Sequence, residues 1–196
     1  MGIRSLSTAS ISTGTKRSKI WDQSAVYVPP SYESIATQSG TGSSATITFS
    51  SIPSTYKHLQ IRAVSPVGNY ITGKLQFNSD TGSNYARHTL LTNGGGTVQS
   101  TSATSQTYIS LGADNGYGRS SYPYAMVIDI LDYTNTSKYK TMRMLGGFDT
   151  NNTDGGEICL ESGLWMSTSA ISTITFGLTS SNYPTTAKFA LYGIKG

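Results

Sequence analysis

Apolar and polar residues alternate in short runs along most of the chain from Val26 onward, and turn-forming residues separate the runs. Ala45, Ile47 and Phe49 fall on one face of the first clear run, and Leu59 and Ile61 begin the next. An apolar residue at every second position is typical of a half-buried β-strand. Further runs of this kind lie at 74–78, 107–112, 125–133, 141–148, 157–166, 172–178 and 187–194.

Eight to ten short strands at this spacing predict an all-β chain folded as a jelly-roll-like antiparallel β-sandwich. Composition agrees, because only 12% of the residues are charged. Exposed helix faces usually need more Glu, Lys and Arg than that.

The run from Tyr124 to Tyr133 has apolar residues on both faces. Met126 and Ile128 share one face, while Val127 and Leu131 lie on the other. This pattern predicts either a central strand covered on both sides or a strand with one face against another subunit.

A polar turn, Tyr133 to Ser137, follows that run and precedes the alternation from Lys138 to Leu145. The two runs are expected to form a hairpin that brings Asp129 near Arg143 or Met142. Two Gly- and Ser-rich stretches, 92–105 and 112–121, are interpreted as long surface loops, either plain connectors or places where binding residues are displayed.

The net charge of the chain comes from its first twenty residues. The sequence holds 14 basic and 10 acidic residues, and Arg4, Lys16, Arg17 and Lys19 stand in this segment without an acidic residue, which leaves 10 of each sign in the remainder. The segment is rich in Ser and Thr and poor in large apolar residues, so it is expected to order only on a partner. We therefore divide the chain into an extended N-terminal docking arm, 1–27, and a single sandwich domain, 28–196.

The partner of the arm is expected to be a protein. Trp21, Ile20 and the 26–30 segment place apolar anchors beside the charges, which suits a protein groove better than a nucleic-acid duplex. The cluster from Lys16 to Lys19 could contact phosphates, but the body is neutral, so nucleic acid is the less favoured partner.

Composition also limits the other classes of protein. No stretch reaches the ~18 apolar residues of a membrane span, and the N-terminus lacks the apolar core of a secretory signal. Cys159 is the single cysteine, which excludes an internal disulfide and a multi-cysteine zinc site. Neither a cofactor nor a metal is predicted.

Oxygen-bearing side chains cluster between Asp149 and Glu157, vaguely like a calcium loop. Their spacing departs from that of an EF-hand, and a hairpin turn is the favoured interpretation. Glu157 and Glu161 alternate with apolar residues and should share one strand face about 13 Å apart, farther than the ~5 to 9.5 Å between the carboxyl groups of glycosidases. We interpret them as solvated acids.

No catalytic role is assigned to the remaining reactive residues. His58 and His88 lack a neighbouring nucleophile or second ligand, so they are expected to be structural or surface residues. Cys159 has no adjacent cationic residue and is interpreted as a small packed residue.

Several segments resemble a module of tailed-bacteriophage structural proteins and together span nearly the whole body. They are Tyr32–Thr37, Thr48–Arg62, Phe77–Tyr85, Ile128–Lys138, Ser162–Trp165 and Phe189–Gly196, and the segment Gly14–Ala25 is similar to the leader that precedes this module. The resemblance implies a virion location, an attachment role for the arm and self-association, most often as a trimer.

The resulting expectation is a non-enzymatic structural protein on the exterior of a phage particle, fixed by its arm. Its partners would be other virion proteins of the capsid, the portal and neck, or the tail. A head decoration or cementing role and a tail-fibre or other appendage role both stay open.

The alternative is an adhesin that binds host glycans through aromatic residues in and around the loops. The candidates are Tyr108, Tyr117, Tyr122 and Tyr124, although packing inside the sandwich explains such tyrosines better. A glycan-cleaving enzyme is the third class and would need a close pair of acids.

Removal of Met1 to Ala25 should leave a folded, soluble body that no longer joins the particle, because the arm carries the attachment residues. Circular dichroism of the truncated protein and its content in purified particles measure the two parts of this prediction. Normal incorporation, or failure of the truncated chain to fold, would contradict the docking role.

Overall fold

The computed structural model describes residues 31–66, 71–92, 97–112, 122–152 and 155–196, and these residues form β-strands and turns without a helix. Contacts divide the chain into Met1–Ser31 and Tyr32–Gly196, and the fold described is that of the second unit. Its strands are β1 Tyr32–Ser39, β2 Thr46–Phe49, β3 His58–Ser65, β4 Gly73–Phe77, β5 Tyr85–Thr92, β6 Val98–Gln106, β7 Ile109–Leu111, β8 Tyr124–Leu131, β9 Lys140–Asn152, β10 Gly155–Trp165, β11 Ile174–Leu178 and β12 Lys188–Ile194.

The strands form two antiparallel sheets that pack as a sandwich. The large sheet has eight strands in the order β1-β12-β3-β8-β9-β10-β5-β6, and the small sheet has four in the order β2-β11-β4-β7. The chain crosses repeatedly between the sheets, as in a jelly-roll-like architecture. The predicted all-β sandwich is confirmed.

The strand prediction was incomplete at three places. β1 and β5 were not recognised as strands, and most of β6 lies within the stretch 92–105 that was interpreted as a loop. That interpretation is wrong for residues 98–105, which belong to β6 and pair with β5. β6 lacks apolar alternation because almost all of its side chains are exposed, so its sequence carries no period-2 signal.

The predicted hairpin of β8 and β9 is confirmed, and Asp129 lies opposite Arg143 in its register. The turn between these strands centres on Asp132, whose carboxylate pairs with Lys57 and Lys138. These two hydrogen-bonded cations, Lys138 foremost, lower the pKa of Asp132 to about 2. The turn is therefore held by charge as well as by backbone hydrogen bonds.

Aromatic side chains join the two sheets at the centre of the core. Phe176 of β11 lies 4.8 Å, between ring centroids, from Phe189 of β12 and meets Phe49 of β2 edge to face at 6.5 Å. Tyr183 packs on the other side of Phe189. Because these four side chains are almost completely buried, their contacts are a main source of cohesion between the sheets.

Trp165, at the end of β10, fixes which face of that strand points inward. Its indole Nε1–H donates a hydrogen bond to Asp80 Oδ2 at 2.7 Å. Its ring packs against Phe77 and stacks on Tyr85, with centroids 5.6 and 6.4 Å away. Since side chains alternate along a strand, every second residue before Trp165 must also face the interior.

The substitution Phe176→Ala should lower the free energy of unfolding by about 3–5 kcal/mol, because it removes a ring that bridges both sheets and leaves a cavity. Tyr139→Ala serves as the control, since Tyr139 is an exposed residue of similar size, and should change stability by no more than about 0.5 kcal/mol. Denaturant titration measures both. Equal effects of the two substitutions would contradict the packing described for Phe176.

Candidate interaction surface

The large sheet has two unlike faces. Its inner face packs on the small sheet, whereas no strand among the described residues covers its outer face. Several aliphatic side chains on this outer face are exposed, and six of them, 38 to 57% exposed, are here called the apolar patch: Val64, Leu90, Val127, Leu145, Ile158 and Leu160. Scattered exposed apolar residues are ordinary, but a contiguous group marks an interaction site.

The strand register shows that the patch is contiguous. Val127 lies opposite Leu145, which lies opposite Leu160, which in turn lies opposite Leu90. These four residues therefore form one row across β8, β9, β10 and β5. Opposed side chains on one sheet face are about 5 Å apart, so the row is in van der Waals reach along its length.

A groove of about 580 Å³ is lined by four patch residues, Val64, Val127, Leu145 and Ile158, and extends across β3 to β12. Its lining is largely apolar, with Arg62 and Lys188 on one side. The Arg62 Nε–H donates to Gln60 Oε1 at 2.9 Å, and its guanidinium lies 5.5 Å from the ring centre of Tyr192. These contacts hold one cation at the side of the groove.

A polar row runs beside the apolar one. Asp129, Arg143, Ser162, His88 and Ser102 lie on five neighbouring strands in direct register. Four of them, all but Asp129, line a second groove of about 520 Å³. The outer face is thus amphipathic, with an apolar row and a polar row side by side.

Glu157 and Glu161 lie on the opposite, inner face of β10, and their interpretation as solvated acids is wrong. They are 7% and 1% exposed, and Cys159 between them is fully buried. All three lie on the same face of β10 as Trp165, which points into the core, so they point into the core as well. Cys159 is packed, as expected.

The buried acids belong to polar clusters in the core. Arg87 Nη1 donates to Thr89 Oγ1 at 2.7 Å, and Thr89 Oγ1 donates to Glu161 Oε2 at 3.2 Å. The hydroxyl of Tyr124 lies 3.5 Å from Glu157 Oε1. Both carboxylates are thereby partnered, as burial of a charge requires.

Burial changes the acid strength of this region. It raises the pKa of Cys159 to about 12, and the neighbouring carboxylates of Glu161 and Glu157 act in the same direction. Burial also raises the pKa of Tyr124. The thiol is therefore neutral and inert at ordinary pH, unlike a catalytic thiolate.

The candidate glycan-contacting tyrosines differ in their exposure. Tyr124 is fully buried, so its inclusion in that set is wrong, while Tyr122 is 37% exposed. Tyr108 is half-buried, and the Lys74 ammonium lies 5.0 Å from its ring centre. Tyr117 lies outside the described residues.

The docking-arm residues Arg4, Lys16, Arg17, Lys19 and Trp21 also lie outside the described residues. The described parts of the Asp149–Glu157 segment, 149–152 and 155–157, lie at the paired ends of β9 and β10, as expected for a hairpin. Within the part of the chain that the structure describes, no three metal-binding side chains come together. The described residues also include no helix long and apolar enough to cross a membrane.

Comparisons with protein-family models, with curated proteins and with solved structures found no match to this chain. The surface is therefore interpreted from its own chemistry.

Sequence reasoning found only part of the apolar patch. It placed Val127 on a face that could meet another subunit, but it did not place Ile158 and Leu160 outside. The sequence of β10 did indicate their position. Ile158 and Leu160 have even numbers and Trp165 has an odd one, so strand alternation places them on the face opposite Trp165. Hydrophobicity alone suggested the reverse orientation, with the acids outside.

Alkylation of Cys159 by iodoacetamide at pH 8 should be about a thousandfold slower in the native protein than in denaturant, because the buried thiol supplies almost no thiolate. As Cys159 is the only cysteine, mass spectrometry reads the reaction directly. A native rate close to the denatured rate would show that Cys159 is accessible and activated.

Proposed function

We propose that this chain is a non-enzymatic structural protein of a bacteriophage particle, displayed on the exterior and attached by its N-terminal arm. In this proposal the apolar patch on the outer face of the large sheet binds other virion proteins. The patch is the observation that carries the proposal, and the phage resemblance and the cationic arm support it.

The chemistry of the patch favours a protein partner. Interface centres are depleted in charge, and the row from Val127 to Leu90 is aliphatic throughout. Burying the exposed half of one such side chain contributes about 1 kcal/mol, so six of them support a stable contact. Neither nucleic acid nor a small polar substrate would gain from this surface.

A structural role also fits the position of the acids. Glycan cleavage requires carboxyl groups that reach the substrate, whereas Glu157 and Glu161 are buried and engaged with core side chains. The proposal therefore assigns them to the core rather than to catalysis. Loss of a measured glycan-cleaving activity on neutralising either acid would revive the enzyme hypothesis.

Host-glycan binding is the second candidate. Tyr122 and Tyr108 are both partly exposed, so each offers an aromatic surface on which a sugar could stack. An adhesin of this kind would still be a virion protein. Glycan-array binding that disappears in a Tyr108→Ala, Tyr122→Ala variant would make this the primary function.

The double substitution Leu145→Lys, Leu160→Lys tests the structural proposal. It should leave the fold intact, since both side chains are about half exposed. It should abolish or strongly reduce incorporation into the particle, because two charges would be buried in the contact. Quantitative mass spectrometry of purified particles measures the copy number.

Thr48→Lys is the matched control, because Thr48 is exposed on the small sheet and its variant adds a lysine to a strand away from the patch. The control should assemble like the natural protein. Normal assembly of the Leu145→Lys, Leu160→Lys variant would contradict the role of the patch.

A further inference from the structure

β6 is an edge strand whose first six residues, Val98–Ala103, carry little of the usual protection against pairing. It ends the large sheet, and its only partner among the described residues is β5. Natural edge strands are commonly interrupted by charged residues, Pro or bulges that prevent contact with another chain. The segment Val98–Gln106 has no charged residue and no Pro.

The first part of β6 is also regular. Its register with β5 runs without a shift from Val98 opposite Thr92 to Ala103 opposite Arg87, and the irregularity lies beyond Ala103. The other edge of the sheet differs, because β1 has a bulge between Ser34 and Ala36. Each edge strand therefore contains one irregularity, but β6 keeps six regular residues, Val98–Ala103, whereas the bulge divides β1 after Ser34.

The side chains on the inner side of β6 are largely exposed. Gln99 and Thr101 are exposed, although the β5 residues opposite them, Leu91 and Thr89, are buried. One side-chain contact to this strand is a 3.5 Å hydrogen bond from Arg87 to the Thr101 hydroxyl. β6 thus extends past the packed core and presents its outer backbone edge.

We propose that β6 pairs with β6 of a second copy of this chain, antiparallel and around a two-fold axis at Thr101, so that two large sheets join into one. A two-fold axis perpendicular to the sheet keeps inner and outer faces aligned and uses the same surface on both copies. Thr101 then lies opposite its own copy, Ser100 opposite Ser102, and Gln99 opposite Ala103.

The sequence of β6 indicates that its pairing partner is a second copy of the same strand. Each of these cross-strand pairs is uncharged, so the pairing brings no like charges together. The outer faces of both copies would join as well, since Ser100 and Ser102 both lie on that face, and the apolar row of one copy would meet the polar row of the other. The result is a dimer, in contrast to the trimer that the phage resemblance implies.

Two charge patterns at the same positions test the proposed register in the full-length chain. Ser100→Lys with Ser102→Lys places lysine opposite lysine across the axis, whereas Ser100→Lys with Ser102→Glu places lysine opposite glutamate. Analytical ultracentrifugation should show a dimer for the natural chain, about tenfold weaker association or worse for the first variant, and a retained dimer for the second.

Crosslinking provides an independent measurement. Opposed residues of paired strands have Cα atoms about 4.5–5.5 Å apart, which suits a disulfide. Thr101→Cys should therefore give a covalent dimer under a mild copper–phenanthroline oxidant, while the control Thr37→Cys on β1 should not. Cys159 is buried and should not contribute.

A monomeric or trimeric natural chain, unchanged association of the lysine–lysine variant, or loss of association in both variants would overturn the pairing. So would equal crosslinking at positions 37 and 101. The inference does not depend on the proposed function, because it is measured on the purified chain, whereas the function is measured on the particle. Failure of one therefore leaves the other testable.

Discussion

The inward position of Trp165 is the constraint on which the two faces of the large sheet depend. Its indole is held by the hydrogen bond to Asp80 and by the rings of Phe77 and Tyr85. Strand alternation then carries Glu161, Cys159 and Glu157 into the core and turns Ile158 and Leu160 outward. The buried polar clusters and the exposed apolar patch are two consequences of one packing choice.

This orientation of β10 lowers the stability of the isolated chain on both faces of the sheet. Buried carboxylates must be partnered, which Thr89 and Tyr124 provide together with Arg87 nearby. Aliphatic side chains left in water gain nothing until a partner covers them. A sheet that carries its acids inside and its leucines outside is therefore better suited to an assembled state than to an isolated chain.

The fold class could be predicted from the sequence, because β2, β3, β8 and β12 alternate in the ordinary sense, with apolar residues inside. The orientation of the two faces of β10 and the existence of β6 could not be predicted from hydrophobicity alone. In β10 the acids point inward and Ile158 and Leu160 point outward, because the burial of Trp165 fixes the inner face of this strand. β6 has no apolar face that a sequence pattern could reveal. The candidate surface is built largely from these strands and their neighbours. Its location depends on long-range register, such as Leu160 opposite Leu90, which no local pattern encodes.

A cryo-electron-microscopy reconstruction of the purified phage particle tests the central claim most directly, because it shows what covers the outer face of the large sheet. The account predicts that Val127, Leu145 and Leu160 are buried against another virion protein while the small sheet faces solvent. A particle that contains the chain with this face open to solvent, or that lacks the chain altogether, would contradict the account.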